Sequence, residues 1–291
     1  MSIEVLNLSH SYKIGTPFEH KVLHDVSFSI ADGQFVGLIG PTRSGKTTLA
    51  QYLNALYIPR KGKVLIDGEN TADRRADLVT IRHRVGYVFQ NPEYQLFAPT
   101  VGEDIAFGPT NQNLPREEID KLVKNAMEMV GLDYETFKTR DIFALSGGQK
   151  RRAAIAGVLA CRPKVLVLDD ITAGLDPRGR EEIMDVVKSL HQQQNITILF
   201  ISNSMDDVAL LAERLLVMDN GKIIMDGPTR EVFARTEELR AIGLELPEVS
   251  IIVDRLRSAG FQLPAGILTV DEAISEIAAF LKDKEAREQW S

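Results

Sequence analysis

The sequence predicts an α/β fold with a largely parallel sheet, a helical insertion and a small helical appendage. Three observations predict it. Short apolar runs at residues 35–39, 165–168 and 196–201 alternate with helical stretches, the pattern of a parallel sheet covered by helices. A glycine-rich loop, Gly40-Pro41-Thr42-Arg43-Ser44-Gly45-Lys46-Thr47-Thr48, joins the first run to a helical segment. Apolar residues then recur at helical spacing between residues 112 and 145, and again beyond residue 243.

The elements follow in order. Ile3 and Val5 alternate with polar neighbours, and Leu6 and Leu8 continue in the opposite phase, so the chain opens with a strand. Val26, Phe28 and Ile30 alternate after a turn. Asp32-Gly33 is a turn signal ahead of the apolar run 35–39, and a helix follows from Lys46. Residues 63–66 and 85–89 read as further strands. Pro115 opens a helix with Glu117 and Glu118 in its first turn. Ile119, Leu122, Val123, Ala126, Met127 and Val130 form its apolar face, and Gly131 stops it. Residues 225–227 close the last strand region. Residues 243–291 read as a separate unit, in which Val249, Ile252, Val253 and Leu256 share one helical face that ends near Gly260. Thr269 and Glu272 are spaced as a capping box ahead of Ile274, Ile277 and Leu281.

The bulk numbers narrow the function. A chain of 291 residues suffices for one large domain, or a domain with an appendage. With 44% hydrophobic and 26% charged residues a packed core is expected and wholesale disorder is not. The net charge of −7, without a long basic run, argues against a nucleic-acid partner, which meets a basic face. Cys161 is the single cysteine, so no intrachain disulfide can form; it reads as a small buried apolar residue in a reducing compartment. The N-terminus lacks a charged start followed by an apolar stretch, and no apolar run reaches the roughly 18 residues that span a bilayer. The expectation is a soluble chain; if it works at a membrane, other subunits supply the span.

Two features carry chemistry directly. Residues 40–47 form a phosphate loop in its proper context, after a strand and before a helix. Backbone N–H groups and the helix N-terminus point at phosphates, glycines let the backbone approach, Lys46 brings a positive charge and Thr47 a hydroxyl for Mg²⁺. Val165-Leu166-Val167-Leu168-Asp169 is the matching strand, whose terminal carboxylate would orient Mg²⁺ directly or through water.

Leu145-Ser146-Gly147-Gly148-Gln149, together with the phosphate loop and Asp169, resembles the ABC ATPase family over at least residues 3–230. The resemblance implies ATP as ligand and an ABC-ATPase fold with a RecA-like core. An N-terminal antiparallel β subdomain and a helical subdomain at about 91–160 complete the domain 1–242, followed by a C-terminal α-helical appendage of dimerisation type at 243–291. It implies that Ser146, Gly147 and Gly148 cap the γ-phosphate bound on a facing subunit. Gln90 matches the Q-loop that senses nucleotide and meets the membrane partner; the resemblance implies that it joins Thr47 and Asp169 at Mg²⁺ and Asp170 and Asn203 in catalysis. Asp176 matches the D-loop. Tyr12 is placed either to stack on adenine or as a core aromatic near the first strand. A finer resemblance is to the second ATPase type of energy-coupling factor (ECF) transporters. It rests on Gly15-Thr16-Pro17-Phe18-Glu19, on Phe89-Gln90-Asn91-Pro92-Glu93-Tyr94-Gln95-Leu96-Phe97 and on the tail around Leu246-Pro247 and Leu263-Pro264. It implies vitamin or other micronutrient uptake at the cytoplasmic face of the cell membrane. The expected partners are a transmembrane coupling subunit and a substrate-capture membrane subunit. Residues 92–97 read either as the groove for a coupling helix or as a solvent loop packed on the helical subdomain.

Three positions depart from the family pattern. Arg43 stands where its phosphate loop has glycine, and the side chain either points to solvent, reaches the phosphates or crowds them. Asp170 stands where the family has the glutamate that polarises water, and is one methylene shorter. Asn203 stands at the switch histidine; it can donate a hydrogen bond but cannot carry a proton between groups. Together these predict a Walker site that binds ATP and turns it over slowly, and a heterodimer with a second ATPase subunit rather than a homodimer. The rivals are a soluble ABC ATPase acting on nucleic acid or ribosomes, and a regulatory nucleotide-binding module without turnover.

Overall fold

The computed structural model describes residues 2–288; residues 289–291, the end of the expected appendage, lie outside the described residues. The chain opens with antiparallel β1 (Ile3–Tyr12) and β2 (His20–Ile30). In β1, Asn7 takes φ 49° and the register slips between Val5 and Leu8. That bulge explains the phase change in the sequence: Val5 and Leu8 both face inward, and Leu6 is exposed. Then come β3 (Phe35–Ile39), α1 (Lys46–Leu53), β4 (Lys61–Ile66), the short β5 (Glu69–Asn70), α2 (Leu78–Arg84) and β6 (Val85–Val88). Asp77 caps α2, accepting from the backbone N–H of Val79 and Thr80.

The helical region holds α3 (Val101–Asn111), α4 (Arg116–Met129), α5 (Tyr134–Phe137) and α6 (Gly147–Leu159). In α4 the expected stripe is the buried one: Leu122, Val123, Ala126 and Met127 face the core, and Ile119 packs beside them. The second half alternates: β7 (Val165–Asp169), α7 (Pro177–Gln194), β8 (Thr197–Ile201), α8 (Met205–Leu211), β9 (Arg214–Asp219) and β10 (Lys222–Pro228). It ends in α9 (Thr229–Ala234), α10 (Thr236–Ala241), α11 (Glu248–Ser258) and α12 (Val270–Glu288).

Two sheets result. One is antiparallel, in the order β2-β1-β4-β5; the other runs β10-β9-β3-β8-β7-β6 and is parallel except for its β10–β9 pair. Strands of the parallel sheet send alternate residues to two different cores. Phe35, Ile39, Leu166, Leu168, Ile198 and Phe200 join the core under α3, α4, α6 and α7. Val36, Leu38, Val165, Val167, Leu199 and Ile201 join the core shared with α1 and the antiparallel sheet. Burial on both faces is why these strands read as unbroken apolar runs.

Beyond α10, Leu244, Leu246 and Leu268 still belong to the large core, whereas Val249, Val253, Leu263, Ile267 and Ala273 form a small core of their own. Arg230 of α9 holds this unit by pairing with Glu272 and donating to Gly266 O at 2.7 Å. Thr269 caps α12 by accepting from Glu272 N, while the Glu272 carboxylate accepts from Leu268 N. The buried stripe of α12 is set one residue back from the one read in the sequence. Ala273, Ile277 and Phe280 turn inward and Ile274 and Leu281 are exposed, because the Phe280 ring packs on Phe261 with centroids 5.2 Å apart. Ile252 is likewise exposed.

Candidate nucleotide site

The parallel strands β3, β6, β7 and β8 all end at one edge, and the residues that follow each of them meet there. After β3 comes the phosphate loop, after β6 Gln90, after β7 Asp170 and after β8 Asn203. They surround a cleft of about 380 Å³, rimmed by Tyr12 on the side of the antiparallel sheet.

The loop wraps against the sheet. Gly40 admits no side chain, since a Cβ would lie 2.0 Å from Met218 O, and Gly45 takes φ 108° as it hands over to α1. Lys46 is buried at the start of that helix, and its ammonium donates to Gly40 O at 2.6 Å and Pro41 O at 3.0 Å. Burial pulls its pKa down, and the nearby carboxylates of Asp170 and Asp169 work against that. Ser44 Oγ is buried and has no hydrogen-bond partner among the described residues. A backbone cradle, a buried ammonium and an orphaned hydroxyl suit the phosphate oxygens of a nucleotide. Thr48 and Tyr12 hydroxyls sit 3.0 Å apart, and the Tyr12 ring meets His10 edge-on at 4.4 Å, part of a cluster with Tyr57. Tyr12 is thus partly exposed at the cleft and anchored by Thr48, His10 and Tyr57.

Asp169 ends β7 and is buried. Burial raises its pKa, while hydrogen bonds from Tyr87 and Thr47 hold it down. Mg²⁺ takes few protein ligands and fills the rest of its octahedron with phosphate oxygens and water. The Thr47 hydroxyl against the Asp169 carboxylate is such an oxygen pair, so the residues present fit that ion.

Each departure from the family pattern has a visible geometry. Arg43 takes φ 69°, the left-handed conformation for which glycine is the ordinary choice, and its side chain is exposed at the cleft mouth. Asp170 also takes φ 52°, which aspartate tolerates better than longer residues. Its Oδ2 accepts from Asn203 Nδ2 at 2.9 Å and from Gln90 Nε2 at 3.2 Å. The three residues therefore form one hydrogen-bonded group, with the carboxylate held between two amides.

Ser146, Gly147, Gly148 and Gln149 do not line this cleft. They start α6 on the surface, with the Ser146 and Gln149 side chains each accepting from the other residue's backbone N–H. A Cβ at Gly147 or Gly148 would meet nothing within 4 Å. Asp176 caps α7 by accepting from Gly179 N at 2.7 Å.

Two residues emerge only from the structure. Arg151, buried in α6, donates to Ile171 O at 2.7 Å and Ala173 O at 2.9 Å and lies 3.5 Å from Glu93. It ties the helix carrying Ser146 to the loop after Asp170 and to the turn Pro92–Gln95. The sequence signal was a pair of arginines opening an otherwise apolar run, 153–156. The second is Tyr87, whose hydroxyl donates to Asp169 Oδ2 at 2.8 Å. Beside Gln90, residues Phe89, Gln95, Leu96, Phe97 and Phe107 line a groove of about 280 Å³, with Phe97 and Phe107 edge-to-face at 4.8 Å.

A phosphate loop, a strand-end carboxylate after β7 and an exposed Ser-Gly-Gly helix start define a nucleotide-driven ATPase of the ABC class. Residues 23–173 match the family described as ABC transporter. The chain is 49% identical to the energy-coupling factor transporter ATP-binding protein EcfA2 of Clostridium perfringens, over 97% of this chain and 99% of that protein. It is 52% identical to the EcfA2 of Clostridioides difficile, over 98% and 99%. Among solved structures, cbiO1 of C. perfringens, described as part of the ABC transporter complex cbiONQ, superposes with a TM-score of 0.72. It is 37% identical and is matched over 87% of this chain and 98% of its own. The dimeric ATP-binding cassette MJ0796, in a post-hydrolysis state bound to ADP and Pi, gives 0.70 at 28% identity, over 78% and 98%. The chain belongs to the ABC transporter ATPase family, and within it to the ECF-type ATP-binding proteins.

Proposed function

We propose that this chain is one of two unlike ATPase subunits of an ECF-type importer of a vitamin or other micronutrient. It would sit at the cytoplasmic face of the membrane, where a transmembrane coupling subunit and a substrate-capture subunit supply the span. Among the described residues no helix is long and apolar enough to cross a bilayer. ATP seats on residues 40–48, with Tyr12 against the base. Lys46 leaves its two carbonyls for the outer phosphates, and Thr47 and Asp169 face the cation. Bound there, Mg²⁺ would neutralise charge on the β- and γ-phosphate oxygens.

The observation that carries the asymmetric reading is the group Gln90–Asp170–Asn203. A base that activates water needs a free carboxylate oxygen within reach of it. Here Asp170 Oδ2 accepts two amide donors, Oδ1 accepts from the Asn203 backbone N–H at 3.4 Å, and the aspartate side chain is shorter by about an ångström than a glutamate. No imidazole stands at Asn203 to hold the γ-phosphate. The chain's own cleft thus favours binding over turnover. By contrast Ser146 and Gly147 are exposed and Gly148 is half-buried, all three pre-shaped by the capping box and free to complete the cleft of a partner subunit.

Single-turnover hydrolysis measured on the purified chain alone and after mixing with its co-expressed ATPase partner tests this. The expected result is slow turnover alone and a rise of about 10²-fold in the mixed dimer. Brisk turnover by the isolated chain would refute the asymmetric reading.

A further inference from the structure

Gln90 lines the cleft and follows Phe89 of the groove in sequence, whereas Tyr87 links groove and cleft through its own side chain. Tyr87 lies in β6 opposite Val167 of β7, so its side chain shares a face with Val167 and Asp169. From there its hydroxyl reaches Asp169 Oδ2 in a buried hydrogen bond of 2.8 Å. On its other side the ring meets Phe89 edge-on, with centroids 4.6 Å apart. Phe89 is 36% exposed and lines the groove together with Gln95 and Phe97. One aromatic side chain therefore touches both the wall of a surface groove and a strand-end carboxylate.

We infer that Tyr87 is a positioning residue for the Asp169 carboxylate and joins the groove wall to it; this rests on the reading of Asp169 as the group that faces Mg²⁺. A carboxylate at a strand end can rotate about its last bond, and a metal-facing oxygen serves only if that rotation is fixed. The Tyr87 hydroxyl fixes it by occupying Oδ2. The backbone pairing of β6 with β7 sets the height of the hydroxyl, so the bond does not depend on a loop. Partners that orient a metal-facing group in this way are typically worth about 10–100-fold in metal affinity. The contact with Phe89 adds direction: a partner that presses on the groove displaces Phe89, and the tyrosine carries that displacement to Asp169.

The test uses the full chain, a fluorescent non-hydrolysable ATP analogue and graded Mg²⁺. Tyr87→Phe keeps the ring and removes only the hydroxyl. Analogue affinity in EDTA is expected to stay within about 2-fold of the natural chain, while the Mg²⁺ concentration for half-maximal enhancement rises about 10-fold. Phe89→Leu leaves the hydroxyl in place and is expected to shift Mg²⁺ half-saturation in the same direction by about 2–3-fold, a fraction of that range. Asp169→Asn separates this inference from the reading beneath it. If Asp169→Asn leaves the Mg²⁺ dependence intact, the reading of Asp169 fails. If Asp169→Asn abolishes that dependence and Tyr87→Phe leaves it unchanged, the positioning role alone is overturned. An unchanged half-saturation in Phe89→Leu would overturn the link to the groove.

Discussion

The nucleotide cleft and the surface around Ser146, which on the proposed reading serve the two halves of the same chemistry, are built in opposite ways. In the cleft nearly every functional group has an internal partner. Lys46 rests on Gly40 O and Pro41 O, Asp169 takes the Tyr87 hydroxyl, and Asp170 lies between Gln90 and Asn203. At the start of α6 the Ser146 and Gln149 side chains have, among the described residues, each other's backbone N–H as partner, and the two glycines between them face open space. Neither glycine takes a left-handed conformation or meets a neighbour that a Cβ would strike among the described residues, so nothing inside the described chain requires glycine there. The requirement lies outside the chain, in something that must approach the backbone closely. The three positions that the sequence sets apart, Arg43, Asp170 and Asn203, lie on the cleft side, and none lies among residues 146–149. On the proposed asymmetric reading, such a subunit would give more to its partner's site than to its own.

The largest effect that would sharpen this comparison comes from the surface side. Gly148→Asp places a carboxylate where a partner's γ-phosphate would lie. An acid in the first turn of a helix is favourable to the helix itself, and a Cβ at this position has room. The chain's own analogue binding and thermal midpoint should therefore stay close to those of the natural protein. Hydrolysis by the assembled pair should fall by about 10³-fold, the scale of losing a stabilising contact at the transition state. If turnover of the pair survives, the exposed glycines do not serve a partner's site, and the contrast between the two regions loses its meaning.

Reversing the cleft side should give a smaller effect in the other direction. Asp170→Glu together with Asn203→His should raise single-turnover hydrolysis by the isolated chain about 10²-fold, by advancing the carboxylate and supplying an imidazole. Stability should fall by about 1 kcal/mol, because a longer side chain at φ 52° lacks aspartate's tolerance for that conformation. Unchanged turnover in a folded double variant would show that the slowness lies elsewhere.

The same contrast explains what could be read from the sequence. The loop 40–47, the apolar strand ending at Asp169 and residues 145–149 are local strings, each with its chemistry in consecutive residues. So is the stripe of α4. What could not be read depends on strand register and on competition between faces. Tyr87 is one more apolar residue in a strand until β6 is set beside β7, and only then does its hydroxyl meet Asp169. The Gln90–Asp170–Asn203 group joins the ends of three parallel strands, whose order no single segment specifies. In α12 two stripes share Ile277, and the structure buries the one containing Phe280 because its ring finds Phe261. Helices α2 and α3 carry no sequence signal for a related reason: α2 buries Ile81 alone, and α3 buries Asp104 and Pro109 along with its aliphatic residues, so neither shows a clean apolar period.

Arg43 offers the smallest and most discriminating change. The sequence leaves three places for this side chain: solvent, the phosphates, or a position that crowds them. In the structure the side chain is exposed and the backbone is left-handed, so the residue acts on stability more than on binding. Arg43→Gly removes the strain of a non-glycine residue at φ 69° and should stabilise the chain by about 0.5–1 kcal/mol, a fraction of the left-handed penalty offset by glycine's greater freedom when unfolded. ATP-analogue affinity should change by less than about 5-fold, since an exposed guanidinium in high dielectric contributes about 1 kcal/mol or less to a charged neighbour. Chemical denaturation and equilibrium binding on the same preparation read the two quantities separately. A loss of affinity of about 10-fold or more would mean that the arginine swings onto bound phosphate. Arg43 would then be a binding group gained by this cleft, and the cleft would be better described as specialised for holding ATP than as impaired.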